Sequence, residues 1–514
     1  MEVLRIKSTS VKVKKNAIYG LGTQLIMMII GLIVPRLILV SYGSETNGLL
    51  STVVQIFTYV GLLEAGIGNA ALNALYKPVT NGDQYLISDV YSATQKYYRK
   101  VTILYTGCVV ALSLLYPMFV SSELGYYRIA LVIFFQGLSG ALTFYFVAAY
   151  QQVLKADGKN YIIANIHLVI YLLTSIAKII MMKSGCDIVV VQMAYCVIHG
   201  IQILMFRTVM AQKYPWLSYH KTPDMSALNE RKAFMIHEFS SMVFSSTDML
   251  VLTTFCNLKV TSVYSVYNLV FVALNTLISS VNGGLHYTLG QSYAKQDGTY
   301  IKKHDIYDSL YMCFVFTAFT TAYVLICPFV AMYTRGITDI AYVDYALPIL
   351  FVVIQLLSCG RVTSARVITI AGHVKATQWR SLFEAVINLV GSVILVKLLG
   401  IYGVLLATII ALLYRTNDII IYANKIVLKR SPLKTYVKFL CNMAIFALIA
   451  EIEYMTRGFI ADKCVSWAAF IVFGICVTIV ALVSYLIVAL FTNNDIRDSL
   501  LRLMRRKSKR TLGA

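Results

Sequence analysis

The chain has 514 residues, of which 58% are hydrophobic and only 13% charged, and its formal net charge is +21. No soluble fold keeps so much apolar surface from water, so the solvent must be lipid. The basic excess does not mark a nucleic-acid partner. Of the 45 Lys and Arg, 33 fall in alternate loops and the two tails, seven in the other loops and five inside apolar runs.

A spanning helix needs about 20 mostly apolar residues. Runs of that kind lie at 16–41, 48–76, 98–120, 126–153, 161–183, 188–210, 232–256, 261–291, 306–333, 342–371, 376–399, 401–424, 436–456 and 465–491. The expected fold class is all-α, a polytopic membrane protein of about 14 transmembrane helices. The residues before 16 are too polar for a signal-peptide core, so the first run should remain as a helix. Basic alternate loops place both termini on the cytoplasmic side, which requires an even number of spans. The tail 497–514, with Arg505-Arg506-Lys507-Ser508-Lys509-Arg510, is expected against anionic lipid heads. Ten scattered cysteines without a CxxC pair read as small core residues.

A weak repeat runs through the chain at an offset of about 216 residues. Asn81-Gly82-Asp83 after the second run pairs with Gln296-Asp297-Gly298 after the eighth, and Ala156-Asp157-Gly158-Lys159 pairs with Ala371-Gly372-His373. Six helices per repeat preserve orientation, so the repeat would be parallel. The expected domains are an N-lobe of helices 1–6 (1–211), an interlobe loop (212–231), a C-lobe of helices 7–12 (232–430) and helices 13–14 (431–496). Gly61, Ala65 and Gly68 form a small-residue stripe suited to helix packing.

Charges inside the runs are the functional signal. Arg36, Glu64, Lys178, Asp248, Arg361, Arg366, Glu384, Arg415 and Asp418 all lie in apolar stretches. An ionisable group in hydrocarbon costs a few kcal/mol or more unless it faces a partner or a wet cavity. The pattern argues for a polar passage and hence a transporter. Lys178 is close enough to a helix end to snorkel. GxxxxGK[ST] is absent, and His237-Glu238 fails to complete HExxH because residue 241 is Ser. No ATPase, metal, cofactor or enzymatic activity is expected.

Several segments resemble a known group. Asn16-Ala17-Ile18-Tyr19-Gly20 with Gln24, and Tyr42-Gly43-Ser44-Glu45-Thr46-Asn47-Gly48-Leu49, resemble the start of bacterial polysaccharide exporters. Leu63-Glu64-Ala65-Gly66-Ile67-Gly68-Asn69-Ala70 is similar to their second helix. Ser246-Thr247-Asp248 with Val260-Thr261-Ser262-Val263-Tyr264 is similar to their seventh and eighth, and Glu384-Ala385-Val386-Ile387-Asn388 with Gly400-Ile401-Tyr402-Gly403-Val404 to their eleventh and twelfth. The group is the O-antigen/teichoic-acid (Wzx-type) flippases of the multidrug/oligosaccharidyl-lipid/polysaccharide (MOP) exporter superfamily.

The resemblance implies alternating-access translocation of undecaprenyl-pyrophosphate-linked oligosaccharide across a bacterial inner membrane. Polysaccharide polymerase and glycosyltransferases are then the expected partners. The guanidinium fork suits phosphate, so Arg36, Arg361, Arg366 and Arg415 are candidate substrate contacts, with Asn388 on the same helix face as Glu384. For Arg415, an ion pair with Asp418 at i+3 is the competing role. Glu64, Asp248 and Glu384 are candidates for H+ or Na+ coupling, because a desolvated carboxylate readily exchanges a proton. Asn69, Asn268, Asn275 and Gln355 could bond sugar hydroxyls. The alternatives are a cation-coupled drug exporter, a lipid II flippase and, from another class, a membrane glycan polymerase or ligase. The last characteristically needs a large outer loop, and no such stretch occurs.

Overall fold

The computed structural model describes residues 2–64, 67–120, 122–220, 222–225, 242, 247–294 and 300–498. Most of the run expected at 232–256, and the tail from residue 499, lie outside these. Every regular element among the described residues is helical. Twelve described stretches are long and apolar enough to cross a membrane. The first of them, Gly22–Glu64, contains a break at Gly43 and so holds two expected spans. The protein is a multi-pass helical membrane protein. Large apolar side chains such as Ile103, Met118, Leu398 and Val472 point outward, as lipid-facing positions do.

The chain forms two compact units, Met1–Ser265 with Gly336–Ile340, and Val266–Arg335 with Ala341–Ala514. In the first unit α1 (Glu2–Val60) is followed by a 3-10 turn at Gly61–Glu64, then α2 (Ile67–Asn81), α3 (Gln84–Phe119), α4 (Tyr126–Phe146), α5 (Ala148–Ala156), α6 (Asn160–Lys183), α7 (Ile188–Lys213) and a helical stretch at 247–255. Asp83 caps α3 by accepting from the Leu86 amide at 3.0 Å. The core gathers Leu75, Tyr98, Val147, Leu154, Ile166, Ile170 and Phe206.

The motif Tyr42–Leu49 is a structural joint. Gly43 adopts φ 80° and ψ 178°, open only to glycine, and breaks α1. Ser44 then binds Asp339 twice, through its amide at 3.0 Å and its hydroxyl at 2.6 Å. Glu45 accepts from Ser122 and from the Glu123 amide. Asn47 donates to Ser262 and Ser265. At Gly48 a Cβ would lie 2.0 Å from the Leu258 carbonyl oxygen, so no larger residue fits. Burial pushes the Asp339 carboxyl up, but the two Ser44 bonds outweigh it and hold the group below its usual range.

The second unit continues from α8 (Leu258–Ala294), which straddles the boundary, through α9 (Tyr300–Tyr333), α10 (Leu347–Gly360), α11 (Val362–Ile370), α12 (Val374–Leu399), α13 (Ile401–Tyr422), α14 (Leu433–Lys463) and α15 (Trp467–Thr492). Its core is aromatic: Phe351 stacks on Tyr267 and Phe271, with ring centres 5.8 and 5.3 Å apart.

Three runs read as continuous are broken. The 48–76 run breaks at the 3-10 turn, the 126–153 run at Val147, and the 342–371 run at Arg361. The last two breaks repeat one plan. α5 and α11 each have nine residues and begin 214 residues apart, at Ala148 and Val362. Each is followed by a glycine of positive φ, Gly158 at 66° and Gly372 at 76°. A side chain from a neighbouring helix serves a carbonyl near each break: Gln95 donates to Tyr145 O at 2.6 Å and Thr416 to Leu357 O at 3.1 Å. Such partners are what let a broken helix persist in lipid.

Candidate functional site

In the second unit a set of charges converges on the α10–α11 break. Arg361 is the residue of the break itself. α12 presents Arg380, Glu384 and Asn388 at intervals of four, hence on one face. α13 supplies Thr408, Arg415 and Asp418. The α12–α13 turn is tight: Gly400 takes φ 57°, and a Cβ on Gly403 would meet the Leu395 carbonyl. The two helices therefore lie close enough for short side chains to bridge.

Glu384 holds two guanidiniums, with one oxygen 2.5 Å from Arg361 Nη1 and the other 3.6 Å from Arg415 Nε. Asp418 also holds two, Arg415 Nη1 at 2.5 Å and Arg380 Nη1 at 2.6 Å. Arg415 Nη2 donates to Ser381 at 2.7 Å. Asn388, fully buried, donates to Thr408 at 2.8 Å, while its Oδ1 has no partner among the described residues. Among the described residues three cations face two anions, an excess of one positive charge. Arg415 and Glu384 are nearly inaccessible, with side chains 7% exposed, while Arg380 at 43% reaches the surface.

Sequence reasoning named Arg361, Arg415, Glu384, Asn388 and Asp418, and the fold brings all five together. It missed Arg380, which sits nearly two turns into α12 and reads as a loop charge. The i+3 pair Arg415–Asp418 is present, but the Arg361–Glu384 pair, 23 residues apart in the chain, carries no local signal. Arg366 lies on α11 near Tyr307 and Tyr311, with no carboxylate within 4 Å among the described residues. Asn275 donates to Gln355 at 2.7 Å, so two of the candidate sugar contacts bond each other.

The first unit holds the other candidates. Glu64 ends the 3-10 turn and accepts from the buried Tyr98 hydroxyl at 2.9 Å. Asp248 accepts from Tyr264 at 2.9 Å, and the adjacent Thr247 bonds Tyr59 at 2.6 Å. Both carboxylates are thus set beside tyrosines. Arg36 is partly buried in α1, next to Pro35. Lys178 packs its ammonium 4.5 Å from the centre of the Tyr195 ring, a cation–π contact inside the helix packing rather than a reach to the surface.

A second ion network, absent from the sequence reading, ties α14 and α15 to α9. Asp305 accepts from Arg430 at 2.7 Å and Lys434 at 2.9 Å, and Asp308 from Lys438 at 3.1 Å and Thr363 at 2.7 Å. Asn493 donates to the Asp305 carbonyl at 2.8 Å. Lys438, sorted by its neighbours into a basic loop, is a buried helical residue. Among the described residues no group of three or more His, Cys, Asp or Glu is disposed to hold a metal ion.

No protein-family model and no curated protein matches the chain. Solved structures do. The lipid II flippase MurJ in an inward closed conformation superposes with a TM-score of 0.66 at 14% identity, covering 94% of this chain and 99% of that one. An inward-facing multidrug resistance MATE family transporter of the MOP superfamily gives 0.61 at 14% identity, over 85% and 99%. A MOP superfamily transporter from Pyrococcus furiosus, described as having a binding pocket of reverse polarity, gives 0.52 at 14% identity, over 81% and 97%. At these identities the likeness is one of fold, and the chain shares the fold of these transporters.

Proposed function

We propose that the protein is a flippase for pyrophosphate-linked oligosaccharide on a polyprenyl carrier, working by alternating access between an N-lobe (1–211) and a C-lobe (232–430). The observation that carries this reading is the net-cationic cluster at a broken helix. A buried ion network contributes little to stability compared with apolar filling. The equivalent positions of the first unit are filled with Val147, Ile166 and Ile170, so the backbone plan does not require charge there. A charge cluster that folding does not need points to a ligand that does.

A pyrophosphate would compete with Glu384 and Asp418 for the guanidinium N–H groups. Exchanging one anion for another leaves no buried cation uncompensated at any stage, and bidentate arginines suit phosphate oxygens. The break at Arg361 is the point where α11 can pivot on α10. Arg36, in the first unit, and Arg366, on α11, are further candidate cationic contacts for the substrate. Glu384 acts as counter-ion to Arg361 and Arg415, so H+ or Na+ coupling rests on Glu64 and Asp248. The setting is a bacterial inner membrane with both termini cytoplasmic, and the glycan would pass from glycosyltransferases to a polymerase. A cation-coupled drug exporter would favour an acidic site, whereas this cluster carries surplus positive charge.

The test is the triple variant Arg361→Val, Glu384→Ile, Arg415→Met, which leaves the Arg380–Asp418 pair intact. Its stability in detergent should be unchanged or higher by up to about 4 kcal/mol. Export should be lost, with lipid-linked precursor accumulating on the cytoplasmic leaflet. Retained export in a folded triple variant overturns the reading.

A further inference from the structure

A separate cavity of about 220 Å³ opens in the second unit where α9 and α14 end, far along both helices from the Asp305 network. Its walls are mostly apolar, formed by residues such as Pro328, Val343 and Ile460, and its polar groups are Arg335, Tyr345, Glu453 and Arg457. Glu453 lies ten residues before the end of α14 at Lys463, about 15 Å along the axis. The cavity therefore reaches from the level of the helix ends into one leaflet.

Arg457 is held in a fixed plane. Its Nε and Nη2 each lie 3.1 Å from an oxygen of the buried Glu453. Its guanidinium carbon sits 4.5 Å from the centre of the Tyr345 ring and 5.0 Å from that of Tyr454. Nη1 forms no hydrogen bond among the described residues, and Arg335 at the rim joins no ion pair among them. An i,i+4 pair on a helix surface requires neither the aromatic clamp nor the second arginine. Two cations against one carboxylate leave the cavity one positive charge in excess.

We propose that this cavity binds the phosphate of a membrane amphiphile, an anionic phospholipid, with the phosphate on Arg457 Nη1 and Arg335 and the first chain atoms along the apolar wall. The volume falls below the ~300–1,000 Å³ of sites for drug-sized ligands, which suits a head group and not a glycan on its carrier. This site is distinct from the cluster at Arg361, and lipid binding can be read without transport.

The experiment reconstitutes the full chain in nanodiscs of equal anionic and zwitterionic phospholipid and counts retained lipids by native mass spectrometry. The wild type should keep the anionic lipid in preference. Arg457→Lys, which preserves the charge against Glu453 but loses the fork, should weaken retention roughly 10-fold. Arg335→Ala should weaken it several-fold, and Ala331→Trp, which fills the cavity and leaves the ion pair intact, should abolish the preference. Wild-type preference in all three variants overturns the site. Inorganic phosphate alone should leave thermal stability unchanged. If it protects as well as the lipid does, the ligand is a free anion and the amphiphile assignment is wrong.

Discussion

The α4–α5 break and the α10–α11 break share a backbone plan and differ in chemistry: at the first Arg99 and Arg207 lie over the rings of Tyr145 and Phe146, whereas at the second Arg361 and Arg415 pair with carboxylates. Val147 stands at the first, wholly buried, and α6 packs Ile166 and Ile170 into a core of aliphatic and aromatic side chains. Arg361 stands at the second, and the corresponding positions of α12 carry Arg380 and Glu384. α7 has no Asp, Glu, Lys or Arg from Ile188 to Phe206, whereas α13 carries Arg415 and Asp418. A broken membrane helix needs partners for its freed carbonyls, and both breaks have them. It does not need charge. The ion pairs of the second unit are therefore an addition to the plan, and they are held by a close anion count.

The largest effect should come from adding charge at the break position that is apolar in the first unit. Val147→Arg puts a further guanidinium into a buried apolar and aromatic core, where Arg99 and Arg207 already lie over the rings of Tyr145 and Phe146. A loss of at least about 3–5 kcal/mol is expected, visible as failure to yield monodisperse protein in detergent. Normal yield would mean that the first break also borders water, and the contrast would fall.

Next comes removal of the shared anion. Glu384→Gln leaves Arg361 and Arg415 with Asp418 alone between them and Arg380, and should cost about 3–5 kcal/mol. Denaturant unfolding of the purified variant measures it. The further change Arg361→Met should restore most of the loss, because it removes one of the two cations that shared Glu384. A single substitution costing less than about 1 kcal/mol would show that water already screens the cluster.

The smallest effect lies away from both breaks, at the Ser44–Asp339 joint. A carboxylate with a lowered pKa stabilises the fold above its unfolded value near 3.8, and that contribution disappears as pH falls through the lower folded value. Stability should be flat near neutrality and decline only in this acid window. Ser44→Ala should flatten the decline, and an unchanged acid limb would remove the joint's electrostatic role.

The sequence made the spans legible because lipid imposes length and polarity on every helix. Buried charges were legible for the same reason: Arg361, Glu384 and Arg415 stand out in apolar runs. The breaks at Val147 and Arg361 were not, since an apolar run looks alike whether continuous or interrupted and Val147 has neither Pro nor Gly beside it. Arg380, Lys438 and Asp305 lie near helix ends, where charges are normally solvated, and only tertiary contact shows them buried or shared. The Tyr42–Leu49 motif was legible as a resemblance, but its use as a joint to Asp339 depends on a partner 295 residues away.

The network that anchors α14 to α9 also sets a schedule for making the protein. Asp305 and Asp308 enter the membrane early, while Lys438, which neutralises Asp308, is encoded 130 residues later. At roughly 5–20 residues per second the ribosome needs on the order of ten seconds to deliver it. Through that interval Asp305 and Asp308 lack Arg430, Lys434 and Lys438, while Lys302, Lys303 and His304 of α9 lie beside them, and water or lipid head groups complete the solvation of that end at the interface. Arg430 and Lys434 arrive just before Lys438, in the order that draws α14 in against α9. Asn493, still later, adds its bond to an Asp305 carbonyl that already accepts from Ser309 and Lys438, so the helix inserted ninth is finished last.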